Sequence, residues 1–152
     1  MHLTDGDRIR GLLGTYCRLI DAGDFEGVGE LMSRATLADE QGHVVATGAG
    51  EIAALYAATT RRHEDGTPGT QHVVANTTFD EPAADGTVTA TSAFVVLQAL
   101  PDLPLQPVVA GEYVDTFARD DDGTWYFRER RFRIGRSGDL SHHLLIDPGG
   151  SS

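Results

Sequence analysis

The chain has 152 residues, of which 23 are acidic and 12 basic, for a formal charge of -11, and 40% are hydrophobic. That negative excess repels phosphate backbones and anionic headgroups, which excludes nucleic acid and membrane surfaces as partners, and the apolar runs fall far short of the ~20 residues that span a bilayer. A single cysteine, Cys17, excludes an internal disulfide, and Met1 to Asp5 begins no basic-then-apolar export signal, so the expected address is the cytoplasm.

One domain over 1–152 is expected, with a core of about 5–136 and a tail over 137–152. In chain order, Ile9, Leu12, Leu13, Tyr16, Leu19 and Ile20 recur at helical spacing and predict a helix over 5–22. Thr4 or Asp5 is its N-cap and Gly23 its stop. Asp24 caps a second helix running to about Met32. Thr36 to Asp39 and His43 to Ala46 predict a small hairpin around Gln41-Gly42, and Glu51 to Arg61 a third helix with Ile52, Leu55 and Tyr56 on one face. Arg62 to Thr70 reads as a mobile loop.

From His72 onward the pattern changes to period two and to β-branched residues, predicting strands near 70–79, 87–98, 107–119 and 124–135. Asp85-Gly86 and Asp122-Gly123 are tight-turn signals between antiparallel neighbours. Three prolines in Pro101 to Pro107 interrupt two strands. The tail from Gly138 to Ser152, with Leu140, Leu144, Leu145 and Ile146, is expected to cross a pocket mouth or a neighbouring subunit. Helices first and strands afterwards predict an α+β fold: a cone-shaped, curved antiparallel sheet wrapped around three N-terminal helices and enclosing a pocket.

Candidate chemistry is sparse. Asp21 sits at a helix C-terminus, where the macrodipole disfavours a carboxylate, so it either pairs with a cation such as Arg18, stays solvated, or serves a site. Arg128, Arg130, Arg131 and Arg133 crowd the last strand, and alternation leaves room for one of them at most to face a cavity. His142 and His143 are adjacent and lack metal-ligand spacing. No phosphate-cradling glycine loop, dinucleotide fingerprint or nucleophile elbow is present, and nothing beside Cys17 would activate it. Chemistry without a metal or cofactor is what remains.

Tyr16 through Asp24, Ala35 to Asp39 and Gly50 to Tyr56 resemble the first half of a ketosteroid isomerase. Thr70-Gln71-His72 and Trp125 to Arg128 resemble the branch of scytalone dehydratase, bile acid 7α-dehydratase and lindane dehydrochlorinase. Both belong to the SnoaL-like, nuclear transport factor 2-like superfamily. The isomerase resemblance implies that Tyr16 donates to a substrate oxyanion, Tyr56 supports Tyr16 and contacts substrate, and Asp39 shuttles a proton. The second donor acid of that pattern falls on Gly111. The dehydratase resemblance implies that His72 is the general base, Asp21 its orienting partner and Tyr16 a hydrogen-bond donor. Arg130 lies near the position of the dehydrochlorinase arginine, whereas Ser92 to Leu97 holds no second histidine.

The expected function is that of a cofactor-independent lyase eliminating water or another leaving group from a mainly apolar cyclic molecule such as a steroid, terpenoid or polyketide. A ketosteroid-isomerase-like reaction through Asp39 and Tyr16, and a non-catalytic binding or accessory module, are the alternatives. The resemblance further implies a homodimer or homotrimer assembled through the outer face of the sheet.

Overall fold

Thr4 opens α1 (Asp5–Asp21) with a reciprocal capping box, its hydroxyl accepting from the Asp7 amide at 3.2 Å while the Asp7 carboxylate accepts from the Thr4 amide at 2.9 Å. This is a computed structural model, and it describes residues 1–146. The face of α1 that repeats every three to four residues, Ile9, Leu13, Tyr16, Cys17 and Ile20, is buried. Gly23 then ends the helix at φ +73°, and a side chain there would run into the Gly66 carbonyl. Asp24 immediately caps α2 (Phe25–Leu31) by accepting from the Gly27 amide at 2.8 Å. The short hairpin of β1 (Thr36–Ala38) and β2 (Val44–Thr47) leads into α3 (Gly48–Thr59), whose Ile52 is fully buried.

Four long strands follow: β3 (Thr70–Phe79), β4 (Val88–Leu100), β5 (Leu103–Arg119) and β6 (Trp125–Ser137). The sheet order is β2-β1-β6-β5-β4-β3, antiparallel throughout except that β1 runs parallel to β6. The antiparallel meander read from the turns is therefore complete, and the small hairpin extends it into a mixed six-stranded sheet. Register breaks in each long pairing bend the strands. The break in β3 puts Asn76 at φ 54°, a left-handed conformation that asparagine tolerates better than most residues. The bent sheet curls around α1, and Phe94, Val96, Phe117 and Phe127 meet the helices on its concave face.

Element boundaries depart from the sequence reading where composition misleads. The third helix starts at Gly48 instead of Glu51, and Glu51 closes its first turn by accepting from the Thr47 amide at 2.8 Å. β5 begins at Leu103 and runs through Pro104 and Pro107. The pairing of β5 with β6 reaches only to Val109, so residues before it lie on an edge, where a missing N–H costs no ladder bond. The segment between α3 and β3 is tied down. Arg62 reaches the Gly23 carbonyl at 3.3 Å and stacks over the Phe25 ring, and His63 and Thr67 close a turn at 2.8 Å. The tail returns to the body of the protein: Leu140 and His143 are buried, and Thr60 and Leu144 form a β-bridge. Residues 147–152 of the expected tail lie outside the described residues.

Candidate active site

Because β3 is an edge strand, alternate backbone N–H groups along it have no strand partner. The C-terminus of α1 packs against that edge, and Asp21 takes the free His72 amide through Oδ2 at 2.8 Å. Its Oδ1 accepts from the Thr70 hydroxyl at 2.9 Å and from His72 Nδ1 at 2.6 Å. Three donors thus compensate a carboxylate that the helix dipole disfavours. A carboxylate can only accept, so Nδ1 carries the proton and the neutral imidazole keeps its lone pair on Nε2. The two side chains are 20% and 6% exposed, and His72 lines an apolar cavity.

That cavity has a volume of about 350 Å³ and an overwhelmingly apolar lining. Tyr16 enters it from α1, Tyr56 from α3, Phe94 from β4, Tyr113 from β5 and Arg130 from β6. A larger open groove of about 930 Å³ runs outside, between α1 and β3, and reaches the far side of Asp21 and His72. The groove is half polar, whereas the apolar cavity collects the buried aromatic and ionisable side chains, which makes the cavity the candidate site.

Tyr16 and Tyr56 share a hydroxyl–hydroxyl bond of 3.0 Å, and the Tyr16 ring stands edge-on to His72 with centroids 6.1 Å apart. Burial raises the pKa of both phenols well above the ordinary value, so each is a hydrogen-bond donor rather than an anion. Arg130 is the one arginine of the crowded strand that turns inward, 1% exposed, with Arg128, Arg131 and Arg133 facing solvent. Its Nε and Nη2 donate to the two oxygens of Asp115 at 2.7 and 2.9 Å, and its guanidinium carbon lies 3.7 Å from the Tyr113 ring centre and 4.3 Å from that of Tyr16. Burial alone disfavours the Arg130 cation, but the adjoining carboxylate more than offsets this and holds its pKa above the ordinary value. Burial likewise pushes the Asp115 carboxyl up against the opposing pull of Arg130. Two parallel bonds of these lengths are those of an ionised pair. Arg130 Nη1 is left without a partner among the described residues.

The sequence-predicted residues divide cleanly. Tyr16, Tyr56, His72 and Arg130 line the cavity and Asp21 holds His72 from behind. Asp39 does not reach it. That carboxylate closes the β1–β2 turn, accepting from the amides of Gln41 and His43 at 3.0 and 2.9 Å and pairing with His43 Nδ1 at 3.0 Å. The second isomerase donor has no room either, because a Cβ at Gly111 would overlap the Arg133 carbonyl and the Phe94 ring. Burial pushes the Cys17 thiol up to about 11, so it stays protonated. The residue that sequence reasoning missed is His143, which the folded-back tail puts into the cavity with its ring 6.1 Å from that of His72. Its only sequence signal is a leucine-rich spacing, Leu140 and Leu144, that marks the tail as something to be buried.

The sequence profile of the SnoaL-like domain matches residues 1–131. The chain belongs to the SnoaL-like family. No curated protein sequence matches it. Among solved structures, this SnoaL-like chain is similar to ActVI-ORFA from Streptomyces coelicolor, with 20% identity, 84% of this chain and 94% of that one covered, and a TM-score of 0.67. It is similar to a proposed scytalone dehydratase from Novosphingobium aromaticivorans, with 19% identity, coverage of 89% and 87%, and a TM-score of 0.66. A third relative, from Catenulispora acidiphila, was solved in complex with S-DNPA and shares 16% identity over 84% of this chain and 90% of that one, with a TM-score of 0.65. At these identities the likeness is one of fold. No helix among the described residues is long and apolar enough to cross a membrane.

Proposed function

We propose that this SnoaL-like protein is a cofactor-independent lyase acting on a mainly apolar cyclic small molecule such as a steroid, terpenoid or polyketide. The observation that carries this reading is the Asp21–His72 contact of 2.6 Å at the wall of an apolar cavity, which gives a base with a fixed tautomer. In the elimination, His72 Nε2 takes a proton from a substrate C–H, and the electron pair of that bond becomes the new carbon–carbon π bond. The carbon to leaving-group bond breaks, and the group departs with its pair. A departing hydroxide takes the proton back from the imidazolium and leaves as water. Asp21 stabilises the transient imidazolium, while the Tyr16 hydroxyl and the Arg130 cation, both lining the cavity, stabilise the oxygen or leaving group on which negative charge develops.

Two further supports come from the relatives. One is named for a dehydration and another holds a small molecule, so both elimination and ligand binding lie within the range of this fold. The isomerase reading loses support because Asp39 is spent in a turn remote from Tyr16. Assembly as a homodimer or homotrimer belongs to this proposal, using the outer sheet face where Thr91, Ala93 and Val95 alternate with the buried side of β4.

The test is a mass-spectrometric screen of hydroxylated steroids, terpenoids and aromatic polyketides with wild type, His72→Ala and Asp21→Asn. Product from wild type, lost in both variants while binding persists, is the expected result. Tight binding without product from wild type would replace the lyase by a binding module.

A further inference from the structure

The C-terminal segment after β6 is held as a strap by bonds that leave the His143 ring out of the accounting. The Gly138 amide donates to the Val108 carbonyl at 2.8 Å, the Arg61 amide to the His143 carbonyl at 2.7 Å and the Leu145 amide to the Thr59 carbonyl at 2.8 Å. The His142 carbonyl is held from two sides, by Gln98 Nε2 at 3.0 Å and His63 Nε2 at 2.8 Å. Together these bonds fix the backbone on both sides of His143.

The side chain so positioned is 6% exposed, lines the same cavity as His72, and has Nδ1 with no partner among the described residues. A buried polar atom without a partner is expensive; Nδ1 is walled in, and Nε2, which makes no bond among the described residues, is the ring nitrogen left for a ligand in the cavity. Leu140 and Leu144 of the strap already supply apolar closure, so a histidine between them adds polarity where packing alone would favour another leucine.

We propose that His143 is a ligand-contacting residue, which hydrogen-bonds through its ring to an oxygen substituent on the strap side of the ligand and so selects oxygenated rings over bare ones. This rests on the cavity being the ligand site, as the proposed lyase requires, though not on any reaction occurring there. Burial lowers the His143 pKa to about 4, with His72 and His63 acting in the same sense and Asp21 opposing them, so the ring is neutral at pH 7. A neutral imidazole offers one donor and one acceptor, which suits a hydroxyl in either orientation. The strap thereby reads the ligand at a point that neither Arg130 nor the Tyr16–Tyr56 pair occupies.

The experiment measures dissociation constants for naphthalene, naphthol and dihydroxynaphthalene against wild type, His143→Phe, His143→Gln and His72→Ala. The strap is checked in each variant by hydrogen exchange at the Arg61 and Leu145 amides. In wild type the hydroxylated rings bind more tightly, and binding shifts the His143 ¹⁵N resonances. In His143→Phe, naphthalene binds as in wild type while the preference for hydroxylated rings falls roughly 10- to 100-fold, and His143→Gln restores part of it. An unchanged preference in His143→Phe with the strap amides still protected overturns the proposal. So does a wild type that binds hydroxylated and bare rings alike. If instead His143 governs preference while the hydroxylated steroids, terpenoids and polyketides of the turnover screen give no product, the lyase reading fails and this one stands.

Discussion

Two aspartate–histidine pairs in this protein have nearly the same chemistry and opposite meanings. Asp21 and His72 meet across 51 positions of sequence with their side chains 20% and 6% exposed, whereas Asp39 and His43 meet across four positions and are 35% and 79% exposed. The first contact is imposed by tertiary structure, a helix end docking on a sheet edge. The second is local turn chemistry, an aspartate folding back onto the amides that follow it. A hydrogen bond to a carboxylate orients the imidazole in both, but only the first belongs to a histidine that lines the apolar cavity beside Tyr16 and Arg130.

The sharpest way to break this comparison is Asp21→Asn. The amide keeps one acceptor oxygen, for either the Thr70 hydroxyl or the His72 backbone amide, but cannot stabilise an imidazolium and allows the ring to take the wrong tautomer. On the lyase reading, turnover falls about a hundredfold to ten-thousandfold with ligand binding retained, measured as kcat against the dissociation constant. A loss smaller than tenfold would remove the dyad from the mechanism.

A stability effect of comparable size is expected at the other inward carboxylate. Asp115→Ala strips Arg130 of its bidentate partner and leaves a fully buried guanidinium uncompensated, with a cost of about 3–5 kcal/mol. Urea unfolding measures it. The double variant Asp115→Ala with Arg130→Met recovers much of the loss if the cost comes from the stranded charge. The same arginine lines the cavity, so Arg130→Met alone tests binding of an electronegative ligand group.

Acid pH separates a buried histidine from an exposed one. The pKa of His143 is lowered from 6.5 to about 4 by burial, so across that window the unfolded chain takes up a proton that the folded protein refuses. Stability therefore falls as pH drops from about 6.5 to about 4, by up to about 3 kcal/mol from this residue. His143→Phe abolishes that part of the slope, and pH-dependent urea midpoints of the two proteins give the difference. His63, His72 and Asp21 face the same ring and are present in both proteins, so the difference between the two is assigned to His143.

What could be read from sequence follows the reach of the interactions. Periodicity and capping are local, and they place α1, its stop at Gly23 and the four long strands. The resemblance to known families supplied Tyr16, Asp21 and His72 as a set. Which arginine turns inward depended on the register of β6 against β5, and pairing of Asp115 with Arg130 settles it. His143 was illegible because its position depends on backbone bonds from the tail to Thr59 and Arg61 and on the Gln98 side chain, none of which leaves a local pattern. Asp39 misled for the converse reason, since an acid before Gln41-Gly42 satisfies both a catalytic motif and a turn.

The smallest expected effect is therefore the most telling control. Asp39→Asn retains an oxygen that can accept from the Gln41 and His43 amides, and the pair it forms with His43 lies in solvent, where such contacts contribute little. Turnover changes less than twofold and the unfolding midpoint does not shift measurably. A large loss of activity in Asp39→Asn with Asp21→Asn still active would invert the comparison, because a turn carboxylate would then be doing chemistry at a distance that only a rearranged β1–β2 hairpin could close.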